Sequence, residues 1–259
     1  PELLREARAA ATARDAKLLV CFGGNGRSAG FGPMVASKSA RAKFVANVVD
    51  LVKQKKLDGV DYNWEYPGYD FRTGYDAKRL GKDYRGLGRL LNETREALGA
   101  DATISMSLYP DGKQEDLVAD AARGAGVVDH FHAMAYDQGG GHHSSMGFAE
   151  KVTAGLVGST LDTRRSTLGL PFYGRLANSG EWETYEDLLA RTDGAVARDG
   201  PGDDVAPARA GSTGSWSYNA PATIEAKTKL AKAAGLGGVM IWEAGQDCRL
   251  APVSHRTSA

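Results

Sequence analysis

The sequence predicts an α/β fold, a parallel (β/α)8 TIM barrel of which this chain carries six strands. Three observations predict it. First, short apolar runs alternate with amphipathic helical stretches along the 259 residues. Such alternation joins parallel strands through right-handed crossovers. Second, the strand runs are apolar on both faces or end in polar residues, as when helices cover a sheet. Third, polar and aromatic residues gather where the strands end: Glu65, Tyr109, Tyr136, Asp137, Tyr173, Trp242 and Glu243. A doubly wound sheet carries its chemistry in Gly-rich turns, whereas a barrel carries it on the C-terminal ends of several strands.

The opening "PELLREARAAATARDAK" is a charged amphipathic helix without the features of a signal peptide. The strands that follow are "KLLVCFGG", "GVDYNWEYP", "TISMSLYP", "HFHAMAYD", "STLGLPFYG" and "GGVMIWEAG". Helical apolar spacing marks "SARAKFVANVVDLVKQKK", "YRGLGRLLNETREAL", "QEDLVADAARGAG", "SSMGFAEKVTAGLVGS" and "APATIEAKTKLAKAAG" between them. A closed barrel needs eight strands, and a six-stranded sheet leaves two open edges. The expectation is one barrel domain over residues 1–259, holding strands three to eight, with the first two strands upstream of Pro1. The alternative is an open barrel whose edges a protein partner covers. The segment from about 175 to 218 contains "ARDGPGDDVAPARAGSTGS" and reads as a long surface excursion between the last two strands.

Composition excludes several classes. A formal net charge of zero gives nucleic acid no reason to bind. No apolar run is long enough to insert into a membrane. Cys21 and Cys248 lack metal-ligand spacing and read as free thiols, a disulfide between them being the other reading. Nothing calls for a metal or a cofactor. "GGNGRSAG" departs from the dinucleotide fingerprint and reads as a tight turn. His142 and His143 are adjacent, which suits a flexible surface loop better than a helical metal pair. Trp216 and Tyr218 either rim a groove or pack in a core, and "EWETYEDLL" reads as the start of a helix.

The stretch "LDGVDYNWEYPG" carries the chemistry. Residues two apart share a face of a strand, so Asp61, Asn63 and Glu65 point one way. Val60, Tyr62 and Trp64 point the other way, under the helices. Asp58 is out of phase at the start of the strand. Buried acids cost several kcal/mol unless paired, hydrogen-bonded or protonated. A satisfied polar network in the barrel interior is the bland reading. A column ending in Glu65 at the strand's C-terminal end suits a general acid instead, because low solvation and a nearby anion both raise a carboxyl pKa.

These residues resemble the signature of glycoside hydrolase family 18, the chitinases and chitinase-like proteins. That signature, Asp-Gly-x-Asp-x-Asp-x-Glu on the fourth barrel strand, reads here Asp58-Gly59-Val60-Asp61-Tyr62-Asn63-Trp64-Glu65. "CFGGNGRSAGF" resembles the family's third strand with Cys21 in place of Ser, and "MAYD" its sixth. "GLPFYGR" resembles the seventh and "GGVMIWE" the eighth. The resemblance implies substrate-assisted retaining hydrolysis of chitin or another N-acetylglucosamine-containing glycan. Glu65 is then the proton donor, with Asp61 behind it. Tyr136 bonds the substrate's acetamido carbonyl, Trp242 floors the pocket with Met134 beside it, and Asp137 and Tyr66 touch the sugar. It also implies a secreted or secretory-route protein, although the chain shows no targeting signal.

Two departures matter. Asn63 stands where the family has an acid, so the column keeps an acceptor for the acetamido N–H and loses a negative charge. Asn25 stands where the family often has a stacking Trp. The segment after "PFYGR" is too short for the insertion of deep-cleft members, which implies a shallower groove. Three functions therefore compete: an attenuated hydrolase, a chitin-binding lectin, and a structural subunit that uses the barrel as scaffold.

Overall fold

The structure, a computed structural model, describes residues 2–65, 77–110, 114–123, 126–194, 201–208 and 213–248. The chain forms two compact units. The first comprises Pro1–Ala133 and Gly155–Thr167, the second Met134–Ala154 and Leu168–Ala259. A six-stranded sheet has the order β1 (Leu19–Gly23), β2 (Gly59–Asn63), β3 (Thr103–Leu108), β4 (His130–Ala133), β5 (Ser166–Pro171) and β10 (Gly238–Trp242). All six expected strands are there, and β1 and β10 end the order. No closed barrel forms among the described residues. None of their helices is long and apolar enough to cross a membrane.

In the first unit, β1 to β4 pair in parallel. Helix α1 (Glu2–Thr12) precedes them. Asp58 explains its own position here. It accepts the Leu18 backbone N–H at 2.6 Å and pairs with Arg8 of α1, so it clamps the N-terminal helix to the start of the sheet. Those donors hold its carboxyl below the usual range, the Leu18 N–H first and Arg8 next.

The outer face of β2 packs as the alternation predicts. Val60, Tyr62 and Trp64 are fully buried. Helices α2 (Phe31–Ala36), α3 (Lys38–Lys55) and α4 (Ala77–Leu98) supply the cover. Trp64 stacks on Phe31 with ring centroids 4.5 Å apart and meets Tyr84 edge-on at 6.3 Å. The Tyr62 hydroxyl lies 2.8 Å from that of Thr94. Helix α3 starts where Ser37 accepts the Ala40 N–H and buries Val45, Val48 and Val52, one face at helical spacing. Its buried Arg41 is fully employed, donating to Glu93 of α4 and to the Val35 carbonyl of α2 at 2.8 Å. Helix α2 was not foreseen. Its six residues are too few for periodicity to reveal.

The second unit contains α6 in part (Met146–Gly158), α8 (Pro221–Ala233) and a small antiparallel sheet. That sheet has the order β7 (Trp182–Thr184), β6 (Tyr173–Leu176), β9 (Ser215–Tyr218), β8 (Asp204–Pro207). With α7 (Tyr185–Arg191) it encloses a core of Leu176, Tyr185, Leu188, Ala206, Trp216, Tyr218 and Ala220. The segment read as a surface excursion is therefore an α+β element with its own core. Its Gly- and Pro-rich composition hid short strands that pair over long sequence distances. Trp216 and Tyr218 pack in that core rather than rim a groove. Helix α7 begins one turn later than "EWETYEDLL" suggests, where Thr184 accepts the Asp187 N–H at 3.0 Å.

The histidine pair also differs from expectation. His143 is only 4% exposed. His142 accepts the Ser144 N–H at Nδ1, 3.1 Å, and its Nε2 faces the Asp204 carbonyl at 3.1 Å. These partners select the neutral tautomer with the proton on Nε2. Burial, and then His143, bring the His142 pKa down to about 4. Beneath them Lys227 of α8 is fully buried and donates to Ser144 O, Ser144 Oγ and Asn219 Oδ1 at 2.6–2.9 Å. Burial lowers it to about 7 against the opposing pull of Asp203 and Asp204. The loop is pinned by this network, not flexible.

Gly59 permits the pairing of β2 with β3. A Cβ there would lie 1.8 Å from the Thr103 carbonyl oxygen, which is backbone and cannot step aside. Gly59→Ala is expected to lower stability by about 3 kcal/mol or more, as forced overpacking does. Denaturant unfolding monitored by circular dichroism checks this.

Candidate active site

The inner face of β2 builds a layered polar column, and the parallel register sets each layer. Cys21, Asp61 and Ser105 lie directly opposite one another across β1, β2 and β3. Asp61 accepts from the Ser105 hydroxyl at 2.6 Å and from the Cys21 thiol at 3.0 Å, one on each carboxylate oxygen. The next layer is Gly23, Asn63 and Ser107, with His132 of β4 opposite Ser107. His132 Nδ1 lies 2.8 Å from the Thr167 hydroxyl. Burial lowers its pKa against the pull of Asp61, so the ring is neutral at pH 7.

Two residues further on, Glu65 and Tyr109 meet. The Tyr109 hydroxyl donates to Glu65 Oε2. Glu65 is 8% exposed. Its backbone is fixed too, because the Asn63 carbonyl accepts both the Glu65 N–H at 2.9 Å and the Gly24 N–H at 3.1 Å. Gly23, at φ +106°, makes that approach feasible: a Cβ would fall 2.2 Å from the Asn63 oxygen. Tyr109 is anchored in turn by Gln114 at the start of α5 (Gln114–Ala121), whose side-chain oxygen accepts the Tyr109 N–H.

Asn63 is 6% exposed, and among the described residues its buried side-chain Oδ1 has no hydrogen-bond partner. A buried acceptor left unpaired costs about 1–3 kcal/mol. This orphaned oxygen sits one layer below the acid.

Asp61, Asn63 and Glu65 thus share one face, as the alternation predicts. Ser105 and Tyr109 join them from β3. The alternation Ser105-Ser107-Tyr109 was visible in the sequence, but the level at which it would meet β2 was not. Cys21, in the position where the family has Ser, hydrogen-bonds Asp61. It reaches solvent, yet burial of the thiol and the neighbouring Asp61 charge push its pKa up to about 12.

In the second unit, Asp137 is a hub. Tyr173 donates to its carboxylate at 2.8 Å, and Arg175 donates twice, from Nε and from an Nη, both at 2.8 Å. His143 Nδ1 stands 3.5 Å away, too far for a full hydrogen bond. Burial lowers the His143 pKa more strongly than Asp137 raises it, so this pair is not ionic. Burial of Asp137 itself pushes its pKa up, but the neighbouring His143 and the hydrogen bonds from Arg175 and Tyr173 outweigh it and hold the carboxyl well below the usual range. Tyr136 packs edge-on against Tyr173 at 6.2 Å, and its hydroxyl faces Met240 Sδ at 3.9 Å. Met134 is buried. Trp242 keeps 44% of its surface exposed, while its carbonyl accepts the Phe172 N–H at 2.8 Å. Tyr66 lies outside the described residues. Among the described residues no group of three or more His, Cys, Asp or Glu gathers to hold a metal ion.

The family model for glycosyl hydrolases family 18 matches residues 3–247. The chain belongs to this family. It therefore shares the family's (β/α)8-barrel fold, to which the described residues contribute six parallel strands. Chitinase A1 of Niallia circulans is 25% identical over 89% of this chain, and the chain spans 40% of that relative's length. Two solved structures show the same fold. A chitinase from Bacteroides thetaiotaomicron has a TM-score of 0.74 at 20% identity, covering 95% of this chain and 75% of its own. A chitinase-like agglutinin from Robinia pseudoacacia has a TM-score of 0.68 at 21% identity, covering 92% and 79%.

Two predictions follow from the chemistry of this family 18 chain. Asp137 is harder to protonate folded than unfolded. Its stabilisation is full above about pH 4 and is lost as pH falls toward the depressed folded value. Asp137→Asn is expected to cost about 1.5–3 kcal/mol at neutral pH, with the deficit shrinking by about pH 3. Parallel unfolding curves at both values measure it. The Cys21 thiol is expected to resist alkylation in the native protein at about pH 8, because the thiolate is the nucleophile. Peptide mass mapping after iodoacetamide reads this out, with the urea-unfolded protein as positive control.

Proposed function

We propose that the protein is a chitinase-type hydrolase of β-1,4-linked N-acetylglucosamine glycans, slowed by Asn63. The observation that carries this reading is the buried Oδ1 of Asn63, one layer below Glu65 and without a hydrogen-bond partner among the described residues. A substrate acetamido N–H fills that acceptor and removes the cost of leaving it unpaired.

In this reading Glu65 is the general acid. Tyr109 holds its Oε2 and leaves Oε1 to give the proton to the glycosidic oxygen. The substrate's own N-acetyl carbonyl attacks the anomeric carbon as the glycosidic bond breaks, and an oxazolinium ion forms. Glu65, now a carboxylate, takes a proton from the water that opens the ring, which regenerates the acid with net retention. Asn63 orients the acetamido group. Asp61, held by Ser105 and Cys21, is the nearest anion behind it in the column. Tyr136 donates to the acetamido carbonyl, Trp242 offers an aromatic floor with Met134 beside it, and Tyr66 is a sugar contact. Asp137 acts through Arg175 and Tyr173, which occupy its carboxylate. An extracellular or secretory setting suits an insoluble polymer substrate.

Asn63 brings no charge to the oxazolinium ion. Losing one preorganised electrostatic partner costs about 10²–10³ in rate. The second reading, a chitin-binding lectin, is favoured by that same substitution and by the likeness to a chitinase-like agglutinin.

With a fluorogenic chitobioside, slow turnover is expected. Asn63→Asp should raise kcat by about 10²–10³, and Glu65→Gln should abolish it. Oligosaccharide binding with no turnover in either the parent or Asn63→Asp would leave the lectin reading standing. No binding and no turnover would remove both readings.

A further inference from the structure

Trp182 is 54% exposed, more than Trp242, the other tryptophan left open to solvent among the described residues. It opens β7, the edge strand of the small sheet. The register places it directly opposite Arg175, and Thr184 opposite Tyr173. Directly opposed residues share a face. Trp182 therefore lies on the face whose Arg175 and Tyr173 grip Asp137. Glu183, between them, points the other way and pairs with Arg191 at 3.2 Å.

The turn that presents Trp182 is tied down by the same guanidinium. Arg175 Nη1 donates to the Gly180 carbonyl at 3.1 Å while its other nitrogens hold Asp137. Leu176 N–H donates to Glu181 O at 3.1 Å, and Ser179 Oγ accepts the Glu181 N–H at 2.9 Å. One cation thus joins the Asp137 cluster to the support of an open indole. About half of this large apolar ring stays in water, and that half adds no burial free energy to the fold. Held rigidly beside a polar cluster, it has the form of a preorganised stacking surface.

We propose that Trp182 is a sugar-stacking platform, taking the C–H face of a pyranose one or more units beyond the ring bound near Arg175 and Asp137. The ligand class is a β-linked N-acetylglucosamine oligomer, so the inference rests on the proposed function and extends its site along the glycan.

The test uses the Glu65→Gln protein, so that nothing is cleaved, with and without Trp182→Ala or Trp182→Phe. Calorimetry measures binding of the chitin dimer and the hexamer, and thermal melts confirm folding. Trp182→Ala is expected to weaken hexamer binding about tenfold, the scale of one aromatic contact, and to leave the dimer unchanged. Trp182→Phe should recover most of the loss. Equal loss for dimer and hexamer, or no loss for either, overturns the platform while the glycan-binding reading stands. A loss of self-association on Trp182→Ala, with hexamer binding intact, assigns the indole to a protein contact and overturns it likewise. If no oligomer binds the Glu65→Gln protein in any form, both this inference and the proposed function fall.

Discussion

The parallel register of β1, β2 and β3 is the constraint on which the acid column depends. It sets Cys21, Asp61 and Ser105 at one level, so that the Asp61 carboxylate finds one donor on each side. It sets Asn63 at the next level and brings Tyr109 to Glu65 above that. A slip of one residue would turn every acid under the helices and every aromatic into the interior. Two contacts guard against the slip. Gly59 lets β2 approach Thr103, and Trp64 locks the opposite face against Phe31 and Tyr84. The polar face is therefore only as well placed as the apolar face behind it is well packed.

The second unit is organised around a cation rather than an acid column. Asp137 is the acceptor for Tyr173 and for two nitrogens of Arg175, and burial makes those bonds strong because water does not compete for them. A residue that the motif suggests as a sugar contact thus spends its carboxylate on positioning. Of the groups bonded to it, Tyr173 is buried, while Arg175 lies directly opposite Trp182 of the neighbouring strand β7.

Asn63 divides the two ways in which this chain can use its fold. In the proposed function an amide keeps the acceptor that an acetamido group requires, and the Asn63 Oδ1 is buried without a hydrogen-bond partner among the described residues. The amide also removes a charge from beside the bond to be broken. Holding a glycan needs the acceptor and the stacking surfaces. Cutting it needs, in addition, electrostatic stabilisation that grows in the transition state. Membership of family 18 fixes the architecture; in the proposed function, a single side chain sets the balance between these uses.

Much of this was legible in the sequence because it is local. Period-two alternation put Asp61, Asn63 and Glu65 on one face, and helical spacing marked five of the covering helices. The order of motifs along the chain identified the family. Local patterns carry no information about pairs remote in sequence. That Tyr109 holds Glu65 across 44 positions, that the Gly- and Pro-rich segment closes into a sheet with its own core, and that His143 lies buried over Lys227 all depend on such pairs. Asp58 shows the division within one motif. The sequence alone marked it as out of phase with the column, and only the folded chain assigned it to Arg8 and Leu18. The sequence by itself determined which side chains face inward, since that follows from the strand's period. The tertiary structure decided which of them meet, since that follows from register and burial, and neither is written in any one stretch of the chain.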